Sequence, residues 1–575
     1  MRSKVFGIDL GTTYSCVAAV DEFGRPAVLN NSDSQPTTPS VVMFDSPNEI
    51  LVGVQAKRNA RVRPDNVVSL VKRHMSDPDW RFRAFDTDYS ASAISSQILR
   101  ALARDAARST GEEVKDVVVT VPAYFGDEER KATKLAGELA GLNVVDIINE
   151  PTAAAFAYGF AQEGSGSTNE TVLVYDLGGG TFDTTVIRLS DRRIDVIATA
   201  GDHELGGVDW DERLATYLAG KFVEEQPAAG DPLDDSYGAQ DLITTAEETK
   251  QSLSGRESVD AFVIHNGGRA SITITRPEFE ELTTSLLERT MELTRQVLDA
   301  AAAKGVAGPD RVLLVGGMSK TPAVARRLKE VFGFDAQLTD PDLAVAKGAA
   351  IFGQKKELES LVINDLVAQG KLTEGQSLAE AEQGDLNRAV EKTASQFGLA
   401  TSAVSELVGT EVSNVTSRGF GVEVARSTTG GDDELYVEFL AHANDTLPIS
   451  VEQTFFTVAA NQQAVRIRVM EQATGLESDR IEDNKLVVEG MLEGIPAGHP
   501  QGTPVTGDLR DGPRPDHRGQ CPAHRGRRAA SPARRDGHRE LGHARRREGK
   551  SGPAEAADLM RAAQVQVQLQ ARAQG

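Results

Sequence analysis

Twice in this chain an apolar run drives straight into an aspartate and a turn built of glycines and threonines. The first copy is Gly7-Ile8-Asp9-Leu10-Gly11-Thr12-Thr13-Tyr14, and the second is Val174-Tyr175-Asp176-Leu177-Gly178-Gly179-Gly180-Thr181-Phe182-Asp183. Backbone N–H groups of such a turn, with the flanking hydroxyls, wrap a polyphosphate, while the carboxylate at the strand end addresses its Mg²⁺ through water. Taken alone, the first copy also fits an ordinary hairpin with a polar turn. Two copies facing each other make a clamp, and a clamp demands two comparable units with a cleft between them.

The surrounding pattern fits that demand. Residues 1–353 alternate β-type runs (Val5 to Ile8, Asp116 to Thr120, Val172 to Tyr175, Arg311 to Val315) with amphipathic helical stretches such as Ser95 to Ala107 and Pro277 to Ala303, an α/β pattern. Residues 354–409 turn to Glu, Lys, Ala, Leu and Gln at helical spacing, with breaks at Gly370 and Gly375, and read as a small helical insertion and linker. Residues 410–506 switch to short β-rich runs, among them Val465-Arg466-Ile467-Arg468-Val469, and read as a partial β-sandwich. Residues 507–575 lose periodicity and read as a disordered basic tail, with 15 Lys and Arg against 8 Asp and Glu.

Charge and cysteine usage narrow the function classes. Across all 575 residues the formal charge is −23, which argues against nucleic acid or an anionic membrane as a general partner. No run of about 18 apolar residues occurs, and the Met1 to Leu10 start lacks the apolar core of a secretion signal. Cys16 and Cys521 sit in unlike contexts, so a reducing, cytoplasmic setting is expected.

Two more segments carry chemistry. Asn149-Glu150-Pro151-Thr152 follows the run Val144 to Ile148 and opens a helix, with Pro near its first turn. Glu150 there is either an acid that the helix dipole favours or a carboxylate aimed at a nucleotide cleft to orient water. Val315-Gly316-Gly317-Met318-Ser319-Lys320-Thr321-Pro322 runs a strand into a diglycine turn, where backbone can approach a flat base or ribose.

Together GIDLGTTYS, VPAYFGDEER, INEPTAAAFAYG, DLGGGTFD, GDHELGGVDWDE, LVGGMSKTP and DPDLAVAKGAA stand in the order seen in DnaK-type (seventy-kilodalton heat-shock) chaperones, and residues 4 to 353 resemble that family almost continuously. The resemblance implies a duplicated, actin-like ATPase domain that uses ATP/ADP and Mg²⁺. It implies Asp9 and Asp176 on the metal through water, and Gly11, Thr12, Thr13, Tyr14, Gly178, Gly179, Gly180 and Thr181 on phosphates. Lys72 matches the lysine that reaches the γ-phosphate, although by itself it reads as a solvated surface lysine. Lys72, Glu150, Asp176 and Thr181 form the implied catalytic set. Gly206, Gly207, Glu247, Lys250, Ser254, Gly316, Gly317, Lys320 and Asp342 fall where the family surrounds the rest of the nucleotide. Pro122 and Arg130 match an interdomain relay. Lys320 departs from the family, whose members mostly stack an arginine on adenine there, and an ammonium stacks less well.

Past residue 409 the resemblance weakens. The usual acidic-hydrophobic linker is reduced to Glu406-Leu407-Val408-Gly409-Thr410-Glu411-Val412, and no helical lid is expected from residues 507–575. By alignment Val422, Phe455, Val465 and Ile467 line a groove for an extended peptide, or they are core residues of a sandwich. A frameshift after about Thr506 is suspected, because one shifted frame permits a strand-like continuation. The expected function is an ATP-dependent chaperone that holds hydrophobic segments of unfolded polypeptides, a monomer working with a J-domain cochaperone and a nucleotide-exchange factor. The alternative is an actin-like ATPase that regulates or scaffolds another chaperone without binding clients itself.

Overall fold

The strand Val5–Asp9 is apolar on both faces because helices cover both sides of its sheet. Phe6 and Ile8 pack against Ile94, Ile98 and Leu99 of the helix Ala91–Thr110. Val5 turns the other way, into the core it shares with Ala349 and Phe352 of the helix Ala344–Ala368. Ser90 caps the first of these helices by accepting from the Ala93 N–H, and Gly111 ends it in a left-handed conformation, so it runs longer than the Ser95 to Ala107 stretch foreseen. The stretch Pro277 to Ala303 divides into Arg276–Leu282 and Thr284–Ala303 at Thr283, whose hydroxyl donates to the Phe279 carbonyl. The computed structural model describes residues 4–21, 24–161, 169–190, 192–426, 434–473, 477–493, 495, 497–511 and 565–570.

Two sheets repeat one topology. The first runs in the order Asn143–Asn149, Asp116–Val121, Val5–Asp9, Tyr14–Val20, Pro26–Leu29. The second runs Ala336–Leu338, Arg311–Val315, Glu170–Leu177, Phe182–Ser190, Arg193–Asp202. In each, the strand bearing the aspartate is third, antiparallel to the strand after it and parallel to a later one. This places Asp9 and Asp176 at equivalent strand ends, on opposite walls of one cleft.

Three segment boundaries differ from the sequence reading. The helix Ala344–Ala368 runs unbroken through residue 353, so no domain edge lies there. Its distal residues Leu358, Val362 and Leu366 share one core with Val390 and Ala394 of the helix Gln383–Phe397 and with Val404 and Leu407 of the helix Thr401–Gly409. Periodicity revealed these helices but not their partner; they share a core with Val5 and Val118 of the first sheet and Val172 and Ile194 of the second, so they belong to the two-lobed half rather than to an insertion. Glu411–Ser413, assigned to the β-module, instead adds a parallel sixth strand to the second sheet against Arg193–Asp195. The strand Pro504–Asp511 crosses the expected tail boundary at 507, pairing with Ile449–Phe456 and with Val565–Gln570. Cys521 and the rest of the basic tail lie outside the described residues.

The fused core carries a stability prediction. Leu358 is fully buried, and Leu358→Ala should cost about 2–5 kcal/mol. Denaturant unfolding followed by the fluorescence of Trp210, which packs on the other face of the second sheet, checks this in a Trp80→Phe background where Trp210 alone emits. A separate insertion would leave that transition in place; a shared core moves it.

The β-module consists of the sheet Glu434–Ala441, Phe420–Arg426, Ala464–Gln472, Asn484–Glu493 and a second sheet centred on Pro504–Asp511. Among the described residues its main buried cluster is small, comprising Phe420, Val422, Ala441 and Val469. It rests on the two-lobed half: the Thr199 N–H donates to Asn444 Oδ1 at 2.8 Å, and Ser417 Oγ donates to the Phe125 carbonyl at 3.2 Å. Among the described residues no helix is long and apolar enough to cross a membrane.

Candidate nucleotide site

The two Asp-ending strands and their turns open onto a cavity of about 720 Å³ between the lobes. Each turn is held shut by its own backbone and neighbours. The Gly178 N–H donates to the Thr181 carbonyl at 3.0 Å, and Ser40 Oγ donates to the Gly11 carbonyl at 2.7 Å. The turns also press on each other. A Cβ on Gly179 would stand 2.0 Å from Thr13 Oγ1, and one on Gly180 would stand 2.3 Å from Thr12 Cγ2, so only glycines let the loops meet. Thr12 is buried, yet its hydroxyl has no hydrogen-bond partner among the described residues, an acceptor or donor left for a ligand.

Lys72 is not a solvated lysine. It lies in the short 3₁₀ turn Val71–His74 and is buried, with Nζ donating to Glu150 Oε1 at 2.5 Å. Glu150 reaches it from the first residue of the helix Glu150–Ala161, which begins where the strand Asn143–Asn149 stops. Asp9 Oδ1 accepts from the Thr120 hydroxyl at 3.0 Å, and Asp183 Oδ1 accepts from the Ala123 N–H at 3.1 Å. Burial first, then the Glu150 charge, pushes the Asp9 carboxyl up to about 7, against the opposing pull of Lys72 and Thr120. Burial, with Glu150 and Asp9 adding to it, likewise raises Asp176 well above the carboxylate range, and burial with Glu150 and Asp176 raises Asp183. Among the described residues here the carboxyl groups outnumber the Lys72 ammonium, which is why their ionisation is opposed, and a hydrated divalent cation fits the oxygen donors of Asp9 and Asp176.

At the other end of the cavity the polar side chains engage one another and the backbone. Lys250 donates to the Gly207 carbonyl and to Asp211, both at 2.8 Å, and the Ser254 hydroxyl donates to the Lys250 carbonyl at 3.5 Å. Lys320 and Asp342 form an ion pair at the rim, beside the Gly316-Gly317 turn. Glu247 and Tyr14 also line the cavity, whereas Gly180 and Gly206 stand behind its wall, supporting the loops. Arg130 holds the Phe125 carbonyl and Asn149, next to Glu150, at 3.0 and 2.6 Å.

In the β-module, Val422 is buried in the core, with Phe455 and Ile467 packed against it, while Val465 stays outside that cluster.

Sequence reasoning passed over several groups. Lys57 donates to Glu247 at 2.7 Å and to the Tyr14 hydroxyl at 2.9 Å, linking the two lobes across the cavity mouth. Arg73 donates to the Gly180 carbonyl at 2.9 Å and pairs with Asp209 at 2.6 Å. Nothing local marks Lys57. Arg73 adjoins Lys72, and Asp183 stands opposite Asp176 in strand register, so a closer look at both motifs points to them. A family model described as Hsp70 protein matches residues 5–81 and 75–407.

Proposed function

This chain belongs to the Hsp70 family, and from that premise we propose that it is an ATP-hydrolysing chaperone that binds hydrophobic segments of unfolded polypeptides under nucleotide control. The observation that carries the ATPase reading is the buried Lys72–Glu150 pair, set between Asp9 and Asp176 beside two phosphate-type turns. ATP is the substrate. Asp9 and Asp176 would hold Mg²⁺ through water, and Mg²⁺ supplies charge neutralisation of the phosphates when bound. The Lys72 ammonium neutralises charge developing on the transferred phosphoryl group, Glu150 orients the attacking water, and Thr12, Thr13 and Gly178 to Thr181 hold the phosphates in line. No covalent intermediate is required, because positioning and electrostatics supply most of the acceleration in phosphoryl transfer. Tyr14 would join Thr12 and Thr13 on the phosphates, and Gly207, Glu247, Lys250, Ser254, Gly316, Gly317, Lys320 and Asp342 would surround the adenosine. A cytoplasmic setting, a J-domain cochaperone and an exchange factor belong to the same proposal.

One observation favours the second reading, an ATPase that regulates or scaffolds another chaperone: Val422 is committed to the module's small core rather than to an open groove. Anisotropy of a fluorescent hydrophobic peptide with the full chain separates the two. Tight binding with ADP that weakens about tenfold with ATP, roughly 1.4 kcal/mol of coupling, is the expected result. ATP hydrolysis with no peptide binding in either state would replace the first reading with the second.

A further inference from the structure

The β-module meets the two-lobed half at a buried charge cluster that the nucleotide chemistry does not use. Glu471, in the strand Ala464–Gln472, is 1% exposed. Its carboxyl group faces the start of the helix Asp127–Leu139, where the Asp127 N–H donates to Oε1 at 3.4 Å. Arg418, just ahead of the strand Phe420–Arg426, bridges the halves. Its guanidinium stands 3.5 Å from Glu471 Oε2 and 3.1 Å from Glu129 Oε1. Glu129 is itself buried, and its second oxygen has no hydrogen-bond partner among the described residues. Two buried carboxyl groups thus share one guanidinium.

The other charges nearby do not balance this. Asp127 pairs with Lys131 on its own helix, and Lys485, opposite Glu471 in the strand register, reaches Glu128 at 3.6 Å. The seat is shaped for a carboxyl group, since a Cβ on Gly126 would stand 2.7 Å from both Glu471 oxygens.

We propose that this junction closes with uptake of one proton from solvent onto Glu471, so that the β-module seats more tightly on the two-lobed half as pH falls from 8 to 6. Burial is the largest influence on the Glu471 carboxyl; Arg418 offsets it only partly and Glu129 adds to it, pushing the group up to about 7 from an ordinary 4.5. The closed state therefore binds the proton more tightly than the open state. Its extra stability is complete below pH 4.5 and is lost as pH rises through 7. Between pH 6 and 8 the closing equilibrium should weaken about tenfold.

Hydrogen exchange on the full chain tests this at the Asp127, Glu128 and Glu129 amides. As the first N–H groups of a helix they lack intrahelical acceptors, so their protection reports on the seated module. After correction for the intrinsic pH dependence, the open fraction should rise about tenfold from pH 6 to 8 in the wild type. Glu471→Gln, which mimics the protonated group, should stay closed and flat across that range. Glu129→Gln, which removes the competing anion, should move the transition to lower pH, and it serves if the first variant fails to fold. Wild-type protection that ignores pH, a Glu471→Gln profile with the wild-type slope, or a Glu129→Gln transition that does not move would each overturn the proposal.

Discussion

Lys72→Ala is expected to slow single-turnover ATP hydrolysis by about 10²–10³-fold, the range seen when one preorganised electrostatic donor is removed from a reacting centre. Among the described residues Lys72 is the buried ammonium beside Asp9, Glu150, Asp176 and Asp183, and the adjacent Arg73 is already engaged with Asp209 and the Gly180 carbonyl. The substitution also strands Glu150 without its partner, and breaking a buried pair from one side typically costs 3–5 kcal/mol or about that. The variant should therefore melt earlier as well as turn over slowly. Binding of ATP is measured separately, so that lost affinity is not mistaken for lost chemistry. Turnover within threefold of the wild type, at saturating ATP, would remove Lys72 from the catalytic set.

Gly206→Ala adds one methyl group, yet it should lower ATP turnover by about 10²-fold. Its Cβ would stand 2.5 Å from the N, Cα and C atoms of Gly180, all backbone, so no side chain can swing aside. The Gly178 to Thr181 loop must shift, and misplacing reacting groups by about 1 Å costs this much in a positioning-dominated reaction. Gly206 is extended, with φ −170°, so the new residue suffers no conformational strain of its own. The loss should appear in hydrolysis and nucleotide affinity, and the overpacking should also lower stability by about 1–3 kcal/mol. Alanine at 206 with wild-type turnover would show that the loop has slack to spare.

How much of this was legible beforehand depended on the range of the contact that carries it. The two phosphate-type turns were visible because strand, aspartate, glycine and threonine lie within one short segment each, and duplicated units followed from them, whereas the strand order of each sheet came from the structure. The helices after residue 353 were visible as helices, since apolar spacing is local. Their membership in the two-lobed half was hidden, because Leu358 and Val404 meet only in the folded core. Lys72 was placed by family resemblance alone; its own surroundings in the chain suggest an exposed lysine. Lys57 and the Arg418–Glu129–Glu471 cluster gave no sign, because ordinary surface charges look the same in sequence as buried ones.

By itself, then, the sequence determined the duplicated α/β frame, the two facing turns and the family to which the chain belongs, because backbone geometry and phosphate chemistry are written in neighbouring residues. Tertiary structure alone decided which charges lose water and which partners they keep: Lys72 with Glu150, Glu471 beside Glu129 under one guanidinium. Desolvation and ion pairing depend on groups far apart in the chain, so their consequences for catalysis and for docking of the β-module appear only once the lobes have closed around them.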